Sequence, residues 1–246
     1  MYLNAFSHSS ITILLSWQQE KHFVQAVALE ALAEQPLVFK GGTCLWFFHG
    51  LPRFSEDLDF TASGALPEGF PGTVSRSLEL FGLENSVKTF SDNDSALSFR
   101  LSVKGPLNTA PIDECGVYVE ISKRGQVEDK TLSLGLGFPE YNLPVKRLAG
   151  MSLKEIAAEK VRALVSREKA RDLFDLFFLI KWKGVPFDSV LAGKKLAFYG
   201  EKFSVKGFLG AAAKKEAYFE KELKNLVFDD LPEFSEVMSL VRGWVK

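Results

Sequence analysis

The chain has 246 residues, 46% of them hydrophobic and 25% charged, which is enough to bury a large core and to divide into two lobes. No apolar run approaches the ~18–20 residues of a membrane span, and the opening MYLNAFSHSS lacks a basic region followed by an apolar signal core, so no membrane contact and a cytoplasmic location are expected. A formal charge of -1 supplies no overall attraction to nucleic acid, so any RNA contact needs a local patch, and two cysteines, Cys44 and Cys115, exclude a disulfide framework.

In chain order, apolar residues at helical spacing (Trp17, Phe23, Val24, Val27, Ala28, Ala31, Leu32) predict a helix over 16–34, closed by Pro36. Leu37-Val38-Phe39 then reads as a strand ending in a tight turn at Gly41-Gly42-Thr43. The apolar run 44–48 follows, so the free N–H groups of a helix start can face an anion, with Thr43 as cap or phosphate donor. Asp57-Leu58-Asp59-Phe60 alternates with period two and puts both carboxylates on one face of a strand. Like charges so placed repel, and a divalent cation that prefers oxygen relieves them. Residues 62–72 read as loop, with a helix starting at Thr73 and turning Val74, Leu78 and Phe81 inward; strands are expected over 86–90, 96–103 and 117–121.

From Ser152 the pattern becomes helical. Ser152 and Glu155 form a capping box opening a helix to about residue 165, a second helix runs over 169–182, and three or four more occupy 187–245, separated by Gly200, Asp229-Asp230 and Pro232. Pro139, Pro144 and Gly150 mark a boundary, giving an α+β domain over 1–145 and a helical domain over 146–246. Glu120 lies on the polar face of its strand, either as a third carboxylate for two Mg²⁺ ions bridged by phosphates or as part of a solvated face. Lys160 stands at the edge of an inward helix face, where it either snorkels to water or reaches into a cleft to hold a triphosphate. Asp172 and Asp175 are neighbours on the next helix, as a surface salt-bridge cluster with Arg171 or as acids that orient Lys160 or act as a base. Arg53 either clamps a phosphate or pairs with Glu56 or Asp57. His8, His22 and His49 have no ligand spacing, and Lys194, Lys195, Lys202, Lys206, Lys214 and Lys215 form a candidate basic rim for RNA.

Four segments in order, Lys40-Gly41-Gly42-Thr43, Arg53-Phe54-Ser55-Glu56-Asp57-Leu58-Asp59-Phe60, Ala158-Glu159-Lys160-Val161-Arg162-Ala163-Leu164 and Arg171-Asp172-Leu173-Phe174-Asp175-Leu176, together resemble the AbiEii/AbiGii toxin family of the polymerase-beta-like nucleotidyltransferase superfamily. The glycine and aspartate motifs are shared across the superfamily; the lysine and RDxxD helices make the narrower resemblance. It implies a mixed-sheet nucleotidyltransferase-like lobe followed by an α-helical lobe that completes the cleft. It implies NTP as cosubstrate with Mg²⁺, nucleotide transfer to RNA (tRNA in characterised relatives), a role in a toxin–antitoxin or phage-defence system, and a cognate antitoxin encoded next door. By position, Gly41, Gly42, Thr43, Arg53, Ser55 and Lys160 would bind NTP. Asp57 and Asp59, with Glu120, would bind metal, and Asp57, Asp59, Lys160 and Asp172 would be catalytic. The superfamily often has aspartate where Glu120 stands, and residues beyond about 185 match no motif. A kinase-like phosphotransferase acting on a protein or small molecule, which would release NDP rather than pyrophosphate, and a non-catalytic NTP- or antitoxin-binding module are the competing expectations.

Overall fold

The computed structural model describes residues 14–246, and His8 and the opening MYLNAFSHSS lie outside the described residues. The described residues divide into two compact units: those up to 50 with 54–127 and 131–150 form the first, and residues 51–53, 128–130 and 151–246 the second.

In the first unit, α1 (Ser16–Leu32) leads into β1 (Leu37–Lys40), α2 (Gly41–His49), β2 (Leu58–Ala62) and α3 (Phe70–Leu80). β3 (Asn85–Asp92), β4 (Ala96–Val103), β5 (Cys115–Ser122), β6 (Leu132–Leu136) and β7 (Lys146–Gly150) follow. All seven strands join one mixed sheet in the order β3-β4-β5-β2-β1-β7-β6. β1 and β2 are antiparallel, whereas β2 with β5 and β1 with β7 are parallel. Alternation in β5 buries Val117, Val119 and Ile121 and turns Tyr118 and Glu120 outward, so one face of the sheet is core. α1 packs against β5 and α3, and α3 covers β3. α2 is apolar around most of its circumference because it sits inside the unit, with Cys44, Leu45, Trp46, Phe47 and Phe48 all buried.

Three local readings change. α3 starts at Phe70, so Pro71 and Gly72 lie in its first turn instead of a loop; proline is accommodated there because the N–H it lacks has no intrahelical partner. The tight turn expected at Gly41-Gly42-Thr43 is absent: β1 passes straight into α2, with Lys40 as N-cap. The short segments β6 and β7, among prolines and glycines, are strands because the sheet pairs them, β7 with β1 and β6 with β7.

The second unit is helical: α4 (Leu153–Ser166), α5 (Arg171–Lys181), α6 (Ser189–Ala197), α7 (Val205–Ala213), the short α8 (Phe219–Leu223) and α9 (Phe234–Trp244). α4 contacts α5, α6 and α7, and α5 contacts α9. Ser152 Oγ caps α4 by accepting from the Glu155 N–H at 3.1 Å. The Glu155 carboxylate is turned elsewhere, accepting at 3.0 Å from the N–H groups of Glu128 and of Asp129. Among the described residues, no helix is long and apolar enough to cross a membrane.

Candidate active site

In the first unit, the glycine motif and the aspartate strand meet. Lys40 pairs with Asp59 across β1 and β2, so the first residue of α2 is set beside the Asp59 side chain. Gly41 has φ 80, and a Cβ on it would fall 2.9 Å from both Cβ and Cγ of Asp59 and closer still to Oδ2. Glycine is therefore required twice there, for its left-handed backbone and for the close approach. Asp59 also makes itself felt at Cys44 on α2: burial pushes that thiol up from its ordinary value, and the Asp59 charge pushes it further. Asp57 lies two residues before Asp59, immediately ahead of β2, and both are half-buried.

The loop carrying Asp57 is pinned from below. Thr43 is fully buried; its Oγ1 donates to the Asp57 carbonyl at 2.5 Å and lies 2.9 Å from Ser55 Oγ. Gln25 of α1 donates from Nε2 to the carbonyls of Ser55 at 3.2 Å and Glu56 at 2.9 Å. Thr43 and Ser55 thus direct their hydroxyls at the chain. Gln25 was missed in the sequence because a polar residue in a helical pattern carries no sign of which distant backbone it will meet.

Glu120 is exposed on β5, directly opposite Asp59 in the register of the parallel β2–β5 pair. Among the described residues no three His, Cys, Asp or Glu side chains gather into a metal-holding group. The pair Asp57 and Asp59 still suits Mg²⁺, which is commonly held by one or two carboxylates with substrate phosphates and water supplying the rest.

In the second unit, the RDxxD helix is the centre of a buried ion network. Asp172 and Asp175 on α5 are fully buried, and Lys160 on α4 places Nζ 2.9 Å from Asp172 Oδ1 and 2.6 Å from Asp175 Oδ2. Arg53 is 1% exposed and grips Asp175 with two hydrogen bonds of 2.6 Å, from Nε to Oδ1 and from the guanidinium end to Oδ2. Arg167 holds Asp172 the same way at 2.7 and 2.9 Å. Burial by itself would raise both carboxyls; Lys160 and Arg167 at Asp172, and Arg53 and Lys160 at Asp175, outweigh it and hold both below the usual carboxylate range. Arg53 takes Asp175 as its partner, a residue far along the chain that no local reading would offer in place of Glu56 or Asp57. Asp172 and Asp175 do not form a surface cluster, since α5 turns them inward with its apolar residues.

The six-lysine rim is not assembled as expected. Lys195 is 3% exposed and bound to Glu155 at 2.5 Å and Glu159 at 3.2 Å, and Lys215 is 3% exposed and donates to the Arg167 carbonyl at 2.7 Å. Lys194 is committed to Glu128 at 2.6 Å. The phases of α6 and of the 3-10 turn at Lys214–Tyr218 turn lysines inward wherever a carboxylate or carbonyl waits for them.

A model of the nucleotidyl transferase AbiEii toxin family of type IV toxin–antitoxin systems matches residues 22–239. No curated protein sequence matches the chain. Among solved structures, it is similar to MenT4, a nucleotidyltransferase toxin from Mycobacterium tuberculosis, at 21% identity and a TM-score of 0.66, covering 97% of this chain and 88% of that one. It is similar as well to JHP933 from Helicobacter pylori, at 22% identity and a TM-score of 0.61, covering 97% of this chain and 91% of the other.

Proposed function

Because this chain belongs to the nucleotidyl transferase AbiEii toxin family, we propose that it transfers a nucleotide from an NTP to an RNA acceptor, tRNA before others, with Mg²⁺ held at Asp57 and Asp59. The chain is a nucleotidyltransferase, and a type IV system supplies an antitoxin as its protein partner. The observation that carries the proposal is the meeting of Gly41 and Asp59, which sets a carboxylate against the start of α2, where backbone N–H groups favour phosphate. Mg²⁺ at these carboxylates would polarise the phosphoryl group and favour ionisation of the attacking hydroxyl.

The chain's own residues divide the remaining work. Asp57 and Asp59 hold the cation, and Thr43, Ser55 and Gln25 fix the loop that presents Asp57. In the second unit, the Lys160 ammonium donates to both Asp172 and Asp175 and ties the two carboxylates together. Asp172 orients Lys160 through the 2.9 Å hydrogen bond that it accepts from Nζ. Arg53, gripped by Asp175, positions that carboxylate instead of reaching a phosphate itself. Glu120, opposite Asp59 in the β2–β5 register, would be the third carboxylate available to the cation.

The test is incubation of the purified protein with each labelled NTP, Mg²⁺ and total tRNA. Label on RNA with release of pyrophosphate is expected. Release of NDP with label on protein would replace this reading with phosphoryl transfer, and no turnover with any NTP would leave only a binding module.

A further inference from the structure

Beside the Asp57/Asp59 edge, the outer face of the sheet carries a feature that neither packing nor the metal site uses. Phe90 on β3 and Tyr118 on β5 are 53% and 40% exposed, and their rings stack 5.9 Å apart at 22°. They meet across β4 because the β3 register shifts between Thr89 and Ser91, a bulge that re-aims the intervening Phe90. Each ring has a cation over it: Lys88 Nζ lies 5.5 Å from the Phe90 centroid, and the Arg100 guanidinium 5.7 Å from that of Tyr118. Exposed apolar residues are ordinarily scattered singly, whereas two stacked rings flanked by two cations on strands form a coherent surface.

The seat of Arg100 is specific. Its guanidinium lies over Gly116, where a Cβ would come within 2.6 Å of Nε and 2.7 Å of a terminal nitrogen, so the missing side chain makes room for it. Its Nε is buried with no hydrogen-bond partner among the described residues, a donor held in place without an acceptor. Tyr118 is two residues before Glu120, which stands opposite Asp59. The platform therefore begins one strand away from the carboxylates, within about 8 Å at the usual strand spacing and rise.

We infer that this face of β3, β4 and β5 binds the unpaired end of the acceptor nucleic acid, stacking its bases on Tyr118 and Phe90, meeting its phosphates with Lys88 and Arg100, and leading the strand to Asp57 and Asp59. Aromatic rings take any base by its π-face while neighbouring cations track the backbone. A chain with a formal charge of -1 obtains its nucleic-acid contact here from a local patch. That the bound strand is the acceptor rests on the proposed nucleotide transfer; the stacking surface does not.

The two are separated by measuring anisotropy of a short labelled single-stranded oligoadenylate with the full chain, without NTP or Mg²⁺. Tyr118→Ala and Phe90→Ala should each weaken binding roughly five- to a hundredfold, while Tyr118→Phe, which keeps the π-face, should bind as the parent does. Lys88→Ala and Arg100→Ala should flatten the salt dependence. Circular dichroism confirms that each variant is folded; a variant that is not is replaced by Gly116→Ala, which displaces the Arg100 guanidinium and should also weaken binding. Unchanged oligoadenylate affinity in folded Tyr118→Ala overturns the inference. So does equal affinity for a blunt duplex, loss of NTP affinity instead of oligoadenylate affinity, or loss of binding to a protein partner instead of the oligonucleotide. Should binding fall as expected while the parent transfers no label to RNA, the surface stands and the nucleotide-transfer reading fails.

Discussion

Two pairs of neighbouring aspartates, one on each unit's central motif, are treated oppositely by the fold. Asp57 and Asp59, two apart at the head of a strand, are half-buried, and Asp59 stands beside the first residue of α2. Asp172 and Asp175, three apart on a helix, are wholly buried and answered by Lys160, Arg53 and Arg167. Two carboxylates side by side always need positive charge. A buried pair must find it in the chain because water cannot help, whereas a half-exposed pair can take it from solution. Local spacing is much the same in the two cases; burial decides which becomes an ion network and which a candidate metal site.

The largest effect that would break this contrast comes from Asp57→Asn or Asp59→Asn. Either should lower label transfer at saturating Mg²⁺ by several kcal/mol of transition-state stabilisation, on the order of a thousandfold. The melting temperature should stay close to that of the parent, because both positions are half-buried and the side-chain shape is kept. Full turnover in either variant would remove the metal assignment from this pair.

At the other pair the effect should appear in stability. Lys160→Met keeps the stem packing, but with Nζ bound to two buried carboxylates it should cost about 3–5 kcal/mol in denaturant unfolding. Arg53→Met should behave alike, and a double variant should lose less than the sum because both cations share Asp175. A Lys160→Met protein as stable as the parent would show that the network does not bear on folding.

Acid should separate the two regions further. Asp172 and Asp175 have lowered values in the fold, so their contribution is complete above the unfolded value of about 4 and is lost only as pH falls below it. In the first unit, burial lowers His22 to about 4 from 6.5, so its contribution is present above 6.5 and lost as pH falls from there toward 4, roughly 3 kcal/mol. Burial also raises Glu30 to about 7, and that contribution runs the other way, present below 4.5 and lost as pH rises through 7. The two oppose one another, so Glu30→Gln should raise stability above neutral pH and expose the acid loss due to His22. Unfolding curves in which Glu30→Gln leaves the pH profile unchanged would show that Glu30 is not the opposing group.

The smallest expected effect is at Thr43. Thr43→Val keeps the shape but leaves the Asp57 carbonyl without its donor, at about 1–3 kcal/mol, and should lower turnover by loosening the loop. A variant with parental stability and turnover would show that the loop needs no such support.

The strand–helix order around Gly41, the capped start of α4 and the helical second half were all legible in the sequence, because each depends on residues within a turn or a strand pair of one another. Glu120 could be placed on an outward face but not closed into a ligand set, since its distance from the aspartates depends on how β2 and β5 lie together. Pairings across long separations were not legible: Arg53 with Asp175, Gln25 with the Ser55 and Glu56 carbonyls, Lys195 with Glu155, and the stacking of Phe90 on Tyr118 over β4. Period and composition tell a side chain which face it is on, but a charge or ring is only committed when the tertiary fold brings a partner within contact distance, and burial then sets how much that partner is worth.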